Sequence, residues 1–390
     1  MNKEQEYVLN CIRCYLNDEQ VDEFDGSWEE VIRLAQIHGV IGILGHMAYK
    51  VAPAEIASFL RSQAMQTVIT FSQRGELMKR LIVKMNEEEI DHLLFKGYIV
   101  KEYYPVPELR TYGDIDFLIR EPDRKHSDEM FRSLDFECKT DWEPVYSYVR
   151  GPEYYEVHTA VLEIDVSDKA DFVGYFSEVW RHARCVSEHT YELEPEFHLI
   201  YMLTHIAKHV RGSGAGIRMY MDIGAFIRHF GDFVDWKLVE GELSKISLSS
   251  FANMVFTVVE KYLGVESPIT LKDIPDDIFE MFMDRTMSGG MFGYADFDAG
   301  VNTLKNSVSE DGDISRGGTI VKRLFPPAEE IEIRYTYLQG RHWLLPVAWV
   351  HRLFKTRDKW KKHSEEAKSI MNADSDEVNR LKRLQNEIGL

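Results

Sequence analysis

Leu93-Leu94-Phe95-Lys96-Gly97, then Tyr104-Pro105 and Arg110, ending in Gly113-Asp114-Ile115-Asp116-Phe117-Leu118-Ile119, is the stretch on which the reading of this chain turns. Asp114 and Asp116 stand two apart in a run that otherwise reads as a buried β-strand. The period-2 geometry of a strand projects both carboxylates from one face. Two carboxylates side by side repel unless a cation lies between them. Oxygen donors suit a hard ion such as Mg²⁺ or Mn²⁺, which takes one or two carboxylates and completes its shell with water and substrate phosphates. On this reading Asp116→Asn removes a repulsion and leaves the fold intact or slightly more stable.

Outward from that stretch, Asp91-His92-Leu93-Leu94-Phe95 reads as a short apolar strand ending at Lys96-Gly97, with a helix start over Tyr98 to Tyr103. Gly97 permits close backbone approach or a positive φ, and Lys96 can place a point charge on a phosphate. For Arg110, a structural ion pair and a contact to the carboxylates or a triphosphate are equally compatible with the spacing. A helix follows over Asp123 to Leu134, a strand from Phe136, and a hairpin from Tyr146–Val149 and Tyr154–His158. The run Ala160-Val161-Leu162-Glu163-Ile164-Asp165-Val166 reads as a further strand, with Glu163 and Asp165 on one face. Such a pair is ordinarily the solvated side of a strand. Two acidic strands side by side, however, bring three carboxylates into one cluster, enough for two metals or for one metal and a general base.

Residues 1–89 read as helices. Ser27 with Glu30 fits a capping box, and the helix it opens turns at Gly39 or Gly42. A longer helix from about Ala54 to Glu88 carries Phe59, Met65, Val68, Leu77, Leu81 and Met85 on its inner side. After Tyr191 the period becomes helical to the end. His205 and His209 sit one turn apart, but zinc proteases of that spacing carry Glu beside the first histidine, where this chain has Ile206. Arg218 and Asp222 suit an intrahelical ion pair or, for Arg218, a nucleotide contact. Asp298 to Gly318 reads as a mobile loop, and the tail from Lys355 as a solvated helix.

With 390 residues the chain exceeds the usual size of one core. The expected division is a helical segment 1–89, a core 90–190 and a helical domain 191–390. A net charge of −19 argues against general nucleic-acid binding without excluding a local basic patch. The start, Met1-Asn2-Lys3-Glu4-Gln5-Glu6, lacks the pattern of a signal peptide, and no window reads as a membrane span, so a cytoplasmic location is expected. Four cysteines make no disulfide framework, and Cys11-Ile12-Arg13-Cys14 has no second pair with which to hold zinc.

The run Phe95-Lys96-Gly97, Tyr104-Pro105-Val106-Pro107, Arg110, Gly113-Asp114-Ile115-Asp116 resembles the signature of the uncharacterised bacterial nucleotidyltransferase family, a branch of the DNA polymerase β-like nucleotidyltransferase superfamily. The resemblance extends to Ala35-Gln36-Ile37-His38-Gly39-Val40. It continues through His205 with His209, Gly216-Ile217-Arg218 and Met221-Asp222-Ile223, and through Leu324-Phe325-Pro326-Pro327, Tyr335 and Leu345-Pro346 with Arg352. It implies an α+β fold, a nucleotidyltransferase mixed sheet with flanking helices followed by a mainly helical C-terminal domain. It also implies Mg²⁺- or Mn²⁺-dependent transfer of a nucleoside monophosphate from a nucleoside triphosphate, ATP being favoured, to an acceptor hydroxyl. Asp114 and Asp116 match the superfamily's metal-binding aspartates, and Lys96, Gly97, Arg110 and Arg218 are the implied nucleotide-binding residues. The superfamily commonly has Gly-Ser where this chain has Lys96-Gly97. The family usually shows Glu-hydrophobic-His on its third strand, where this chain is read as Glu163-Ile164-Asp165; either acid is a candidate third catalytic and metal-binding carboxylate. A catalytically silent nucleotide-binding or scaffold protein of a biosynthetic or defence operon is the alternative. Intact Asp114 and Asp116 speak for the enzyme, because a binding module gains nothing from their repulsion.

Overall fold

A computed structural model describes residues 1–142, 144–162, 166–167, 169–291, 299–307, 316–331, 335–355 and 360–390. The chain forms two compact units. One comprises Met1–Val210, Gly214–Ala295 and Ile388–Leu390, the other Arg211–Ser213 and Asp296–Glu387. Among the described residues no helix is long and apolar enough to cross a membrane.

The first unit opens with α1 (Lys3–Asn17), α2 (Trp28–Ile37), α3 (Ile41–Ala48) and the long α4 (Ala54–Glu87). Ser27 caps α2 by accepting from the Glu30 N–H at 3.3 Å. The box is only half formed, because the Ser27 N–H donates to Glu4 while the Glu30 carboxylate pairs with Arg33. Gly39, at φ 69°, makes the turn, and Gly42 lies inside α3. On α4 the inner side is Leu60, Thr67, Met78, Leu81 and Met85, so the expected stripe holds only for its last turns. Phe59 and Met65 are exposed, since α3 packs against the small and polar side of the first half: the backbone oxygen of Leu60 would lie 2.2 Å from a Cβ at Gly45.

A mixed seven-stranded sheet follows: β1 (His92–Leu94), β2 (Ile115–Ile119), β3 (Glu137–Trp142), β4 (Val145–Arg150), β5 (Glu153–His158), β6 (Ala183–Ser187) and β7 (Thr190–Leu193), in the order β3-β4-β5-β2-β1-β7-β6. Interleaved are α5 (Gly97–Val100), α6 (Arg124–Ser133) and α7 (Phe172–Ser177). β2 lies centrally, antiparallel to β1 and parallel to β5, with Asp116 opposite Glu156 and Leu118 opposite His158. Strand alternation then sorts the faces. Ile115, Phe117 and Ile119 join Tyr155 and Val157 in a core closed by Met78, Leu81 and Met85 of α4 and Phe131 of α6. Their alternates, Asp116, Glu156 and His158, project from the opposite face.

The expected strand at 160–166 is not formed in its described residues: Ala160–Leu162 and Val166 lie outside any strand. Glu163, Ile164 and Asp165 are outside the described residues. Helices then complete the unit: α8 (Pro195–Arg211), α9 (Ile217–Phe230), α10 (Trp236–Lys245), α11 (Ser249–Leu263) and α12 (Asp276–Ser288). On α9 every residue from Ile217 to Ile227 is buried, as befits a helix enclosed on all sides.

The second unit contains α13 (Ala299–Ser307), α14 (Arg316–Leu324), α15 (Ala328–Ile331), α16 (Leu345–Lys355), α17 (Trp360–Asn372) and α18 (Ser375–Glu387). The stretch read as a mobile loop is thus helical where it is described. Val301, Leu304, Ile370, Val378 and Leu381 form one apolar core, so α18 is a packing helix rather than a wholly solvated one.

Candidate functional site

Phe95 ends β1 by turning its ring between His158 and Tyr201, at 5.6 and 5.2 Å between ring centroids, and so brings α8 onto the polar face of the sheet. Lys96 and Gly97 come next. The Gly97 backbone runs so close to Arg110 and Tyr112 that a Cβ there would fall 2.5 Å from Arg110 Nη1 and 2.9 Å from Tyr112 Cβ. The glycine therefore serves close approach. Arg74 of α4 donates to the carbonyls of Tyr112, at 2.7 Å, and Gly113, which fixes the loop entering β2.

Over this region lies a cavity of about 240 Å³ whose lining includes Lys96, Asp114, Asp116, Tyr201, His205 and Arg218. Asp116 is 4% exposed. Its Oδ1 accepts from Lys96 Nζ at 2.5 Å and from His158 Nε2 at 2.8 Å, and the same imidazole nitrogen lies 3.6 Å from Glu156 Oε2. Burial pushes the Asp116 carboxyl up, but Lys96 and then His158 outweigh it and hold the group well below the usual carboxylate range. Lys96 is the mirror image: burial pulls its ammonium down, and the Asp116 charge more than restores it. The His158 imidazole lowers the Glu156 carboxyl. Asp114 is exposed to solvent, yet the pocket walls around it and then the Asp116 charge raise its carboxyl above the usual range. Asp116 and Glu156 are thereby held ionised at neutral pH.

Asp116, Glu156 and His158 place one ligand atom each within 4.8 Å of one another. Two ionised carboxylates and an imidazole, with Asp114 in the same pocket, fit a divalent cation. Glu156 and His158 were not among the candidates read from the sequence, although Glu156-Val157-His158 is itself Glu-hydrophobic-His. The pattern sits on β5, one segment before Glu163-Ile164-Asp165.

Of the implied nucleotide-binding residues, Lys96, Gly97, Arg110 and Arg218 all line the cavity. Arg110 takes the structural alternative. Its Nε and Nη2 donate to the two oxygens of Asp222 at 3.0 and 2.6 Å, and the Tyr104 hydroxyl donates to Asp222 Oδ1 at 2.6 Å. Asp222 is thus occupied across the fold rather than by Arg218 on its own helix. Arg218 instead donates from Nη1 to Thr111 Oγ1 at 3.0 Å. His205 and His209 line the same cavity, their ring centroids 4.6 Å apart, and burial lowers both imidazoles.

The profile of a family described as uncharacterised nucleotidyltransferase matches residues 25–264, which span α2 to α11 and include every site residue described above. No curated protein and no solved structure matches the chain. With a seven-stranded mixed sheet carrying an acidic and histidine cluster over a cavity, and with well over half of its length matched, the chain belongs to the uncharacterised nucleotidyltransferase family.

Proposed function

We propose that the chain transfers a nucleoside monophosphate from a nucleoside triphosphate, ATP being the favoured donor, to an acceptor hydroxyl, with the segment 90–190 as its catalytic core. The observation that carries this is the parallel register of β2 and β5, which sets Asp116 beside Glu156 and His158 under a cavity that also holds Lys96 and Arg218. In the reaction the acceptor oxygen bonds to the α-phosphorus, the bond to the bridging oxygen of the β-phosphate breaks, and pyrophosphate departs. Asp114, Asp116 and Glu156, with His158, would hold Mg²⁺ or Mn²⁺, whose chemistry there is to offset charge on the phosphates. Glu156, kept ionised by His158, accepts the proton of the attacking hydroxyl. Lys96 supplies positive charge to the phosphate oxygens beside Asp116.

Incubating α-labelled triphosphates and Mg²⁺ or Mn²⁺ with a cell extract, and comparing wild type with Asp116→Asn and Glu156→Gln, tests the assignment. Label should pass to an acceptor with the wild type and fall at least about 100-fold with either variant. Equal labelling by all three rejects the site, and none with any donor favours the silent binding protein.

A further inference from the structure

Among the described residues three lysine and arginine cations line the cavity, and two are matched: Lys96 by Asp116 and Arg110 by Asp222. Arg218 differs. It is 7% exposed, no carboxylate among the described residues pairs with it, and its Nε is buried without an acceptor. A guanidinium carries five N–H donors, and the bond to Thr111 uses one of them. Burial and then the Arg110 charge lower its pKa to about 10, so the fold disfavours the charge that the side chain carries. An unpaired buried cation with unmet donors is destabilising in a ligand-free protein, and a hydrophobic residue of similar length would serve the packing better. Asp222 and Asp114 offset its charge only in part, and neither bonds to it. Asp222 is held by Arg110 and Tyr104, and the neighbouring His209 and His205 are neutral at neutral pH because burial lowers them.

We propose that Arg218 grips the terminal phosphates of the donor, and that this part of the cavity is the subsite by which the protein selects a triphosphate over a monophosphate. The identity of the anion rests on the nucleotidyl-transfer reading; the buried guanidinium without an ion-pair partner does not. With the α-phosphorus at the carboxylates, the remaining phosphates need a cation not already spoken for. Arg218 is the matching one, its planar fork suited to two phosphate oxygens at once.

Calorimetric titration without metal, using inorganic tripolyphosphate, ATP and AMP against wild type, Arg218→Met and Arg218→Lys, tests this. Arg218→Met should bind tripolyphosphate and ATP at least about 10-fold more weakly, leave AMP affinity unchanged, and melt about 2 °C or more higher when ligand-free. Arg218→Lys should retain part of the tripolyphosphate affinity. Equal tripolyphosphate affinity in wild type and Arg218→Met overturns the proposal, as does a lower ligand-free melting temperature, which would mark Arg218 as a packing residue. If tripolyphosphate binds through Arg218 while no α-label is transferred from any donor, the anion subsite stands and nucleotidyl transfer falls.

Discussion

Asp116 carries the electrostatics of the site, and its surroundings reverse the sign expected from two neighbouring aspartates. Burial and the repulsion between Asp116 and Asp114 oppose ionisation, but Lys96 and His158 both bond to Asp116 Oδ1 and dominate. Because the folded carboxyl is depressed, its contribution is full above the ordinary carboxylate range and is lost only as pH falls through the folded value. Replacing Asp116 by Asn therefore does not relieve strain; it strands a largely buried ammonium. The variant should lose about 1–3 kcal/mol in urea unfolding at neutral pH, less than a fully buried pair would cost because Lys96 keeps 21% of its side chain exposed. Adding Lys96→Met should recover part of that loss. A single variant as stable as wild type would show that the pair is not stabilising.

At the scale of elements, α8 is the part that turns a sheet face into a pocket, and one histidine fixes its seat. His198 Nε2 donates to the Phe95 carbonyl at 3.1 Å, and its Nδ1, 3.0 Å from the Tyr103 oxygen, accepts from that hydroxyl, an arrangement only the neutral ring allows. Burial pushes its pKa from 6.5 down to about 4. The unfolded chain therefore takes up this proton first, so the stabilisation is complete above about pH 6.5 and declines as pH falls toward about 4, by roughly 3 kcal/mol for this group. His198→Gln should be less stable at neutral pH but lose less on acidification, read from urea midpoints across that window. Parallel pH slopes in the two proteins would refute it. The same scale explains what the sequence revealed. Period 2 around Asp116 and period 3.6 after Tyr191 are local, and both were legible. Which strand lies beside β2 is not local: the partner, β5, arrives after α6, β3 and β4, so in sequence Glu156 and His158 have the pattern of an ordinary hairpin, and the run at 160–166 is as acidic. Likewise Arg218 and Asp222 looked paired at one helical turn, whereas Asp222 is claimed by Arg110, 112 residues away in sequence.

Across the whole molecule, the chain leaves the first unit at Arg211, returns at Gly214, leaves again near Asp296 and comes back with Ile388–Leu390. Those last three residues are not trailing chain. Ile388 and Leu390 are 2% and 7% exposed, and Gly389, at φ 83°, runs so close to α11 that a Cβ there would lie 3.0 Å from Ser250 Cβ. Burying two aliphatic side chains is worth about 1.5–3 kcal/mol each before the compactness of the unfolded state is allowed for. Deleting 388–390 should therefore destabilise the first unit by about 2–4 kcal/mol, seen in calorimetry as a downward shift of its transition. Since α11 packs on α9, and α9 carries Arg218 and Asp222, the temperature at which tripolyphosphate binding is lost should fall with that transition, while affinity well below it stays at the wild-type value. An unshifted transition would mean that the three residues add nothing to the unit. Weakened binding at low temperature would mean instead that they help to shape the pocket directly.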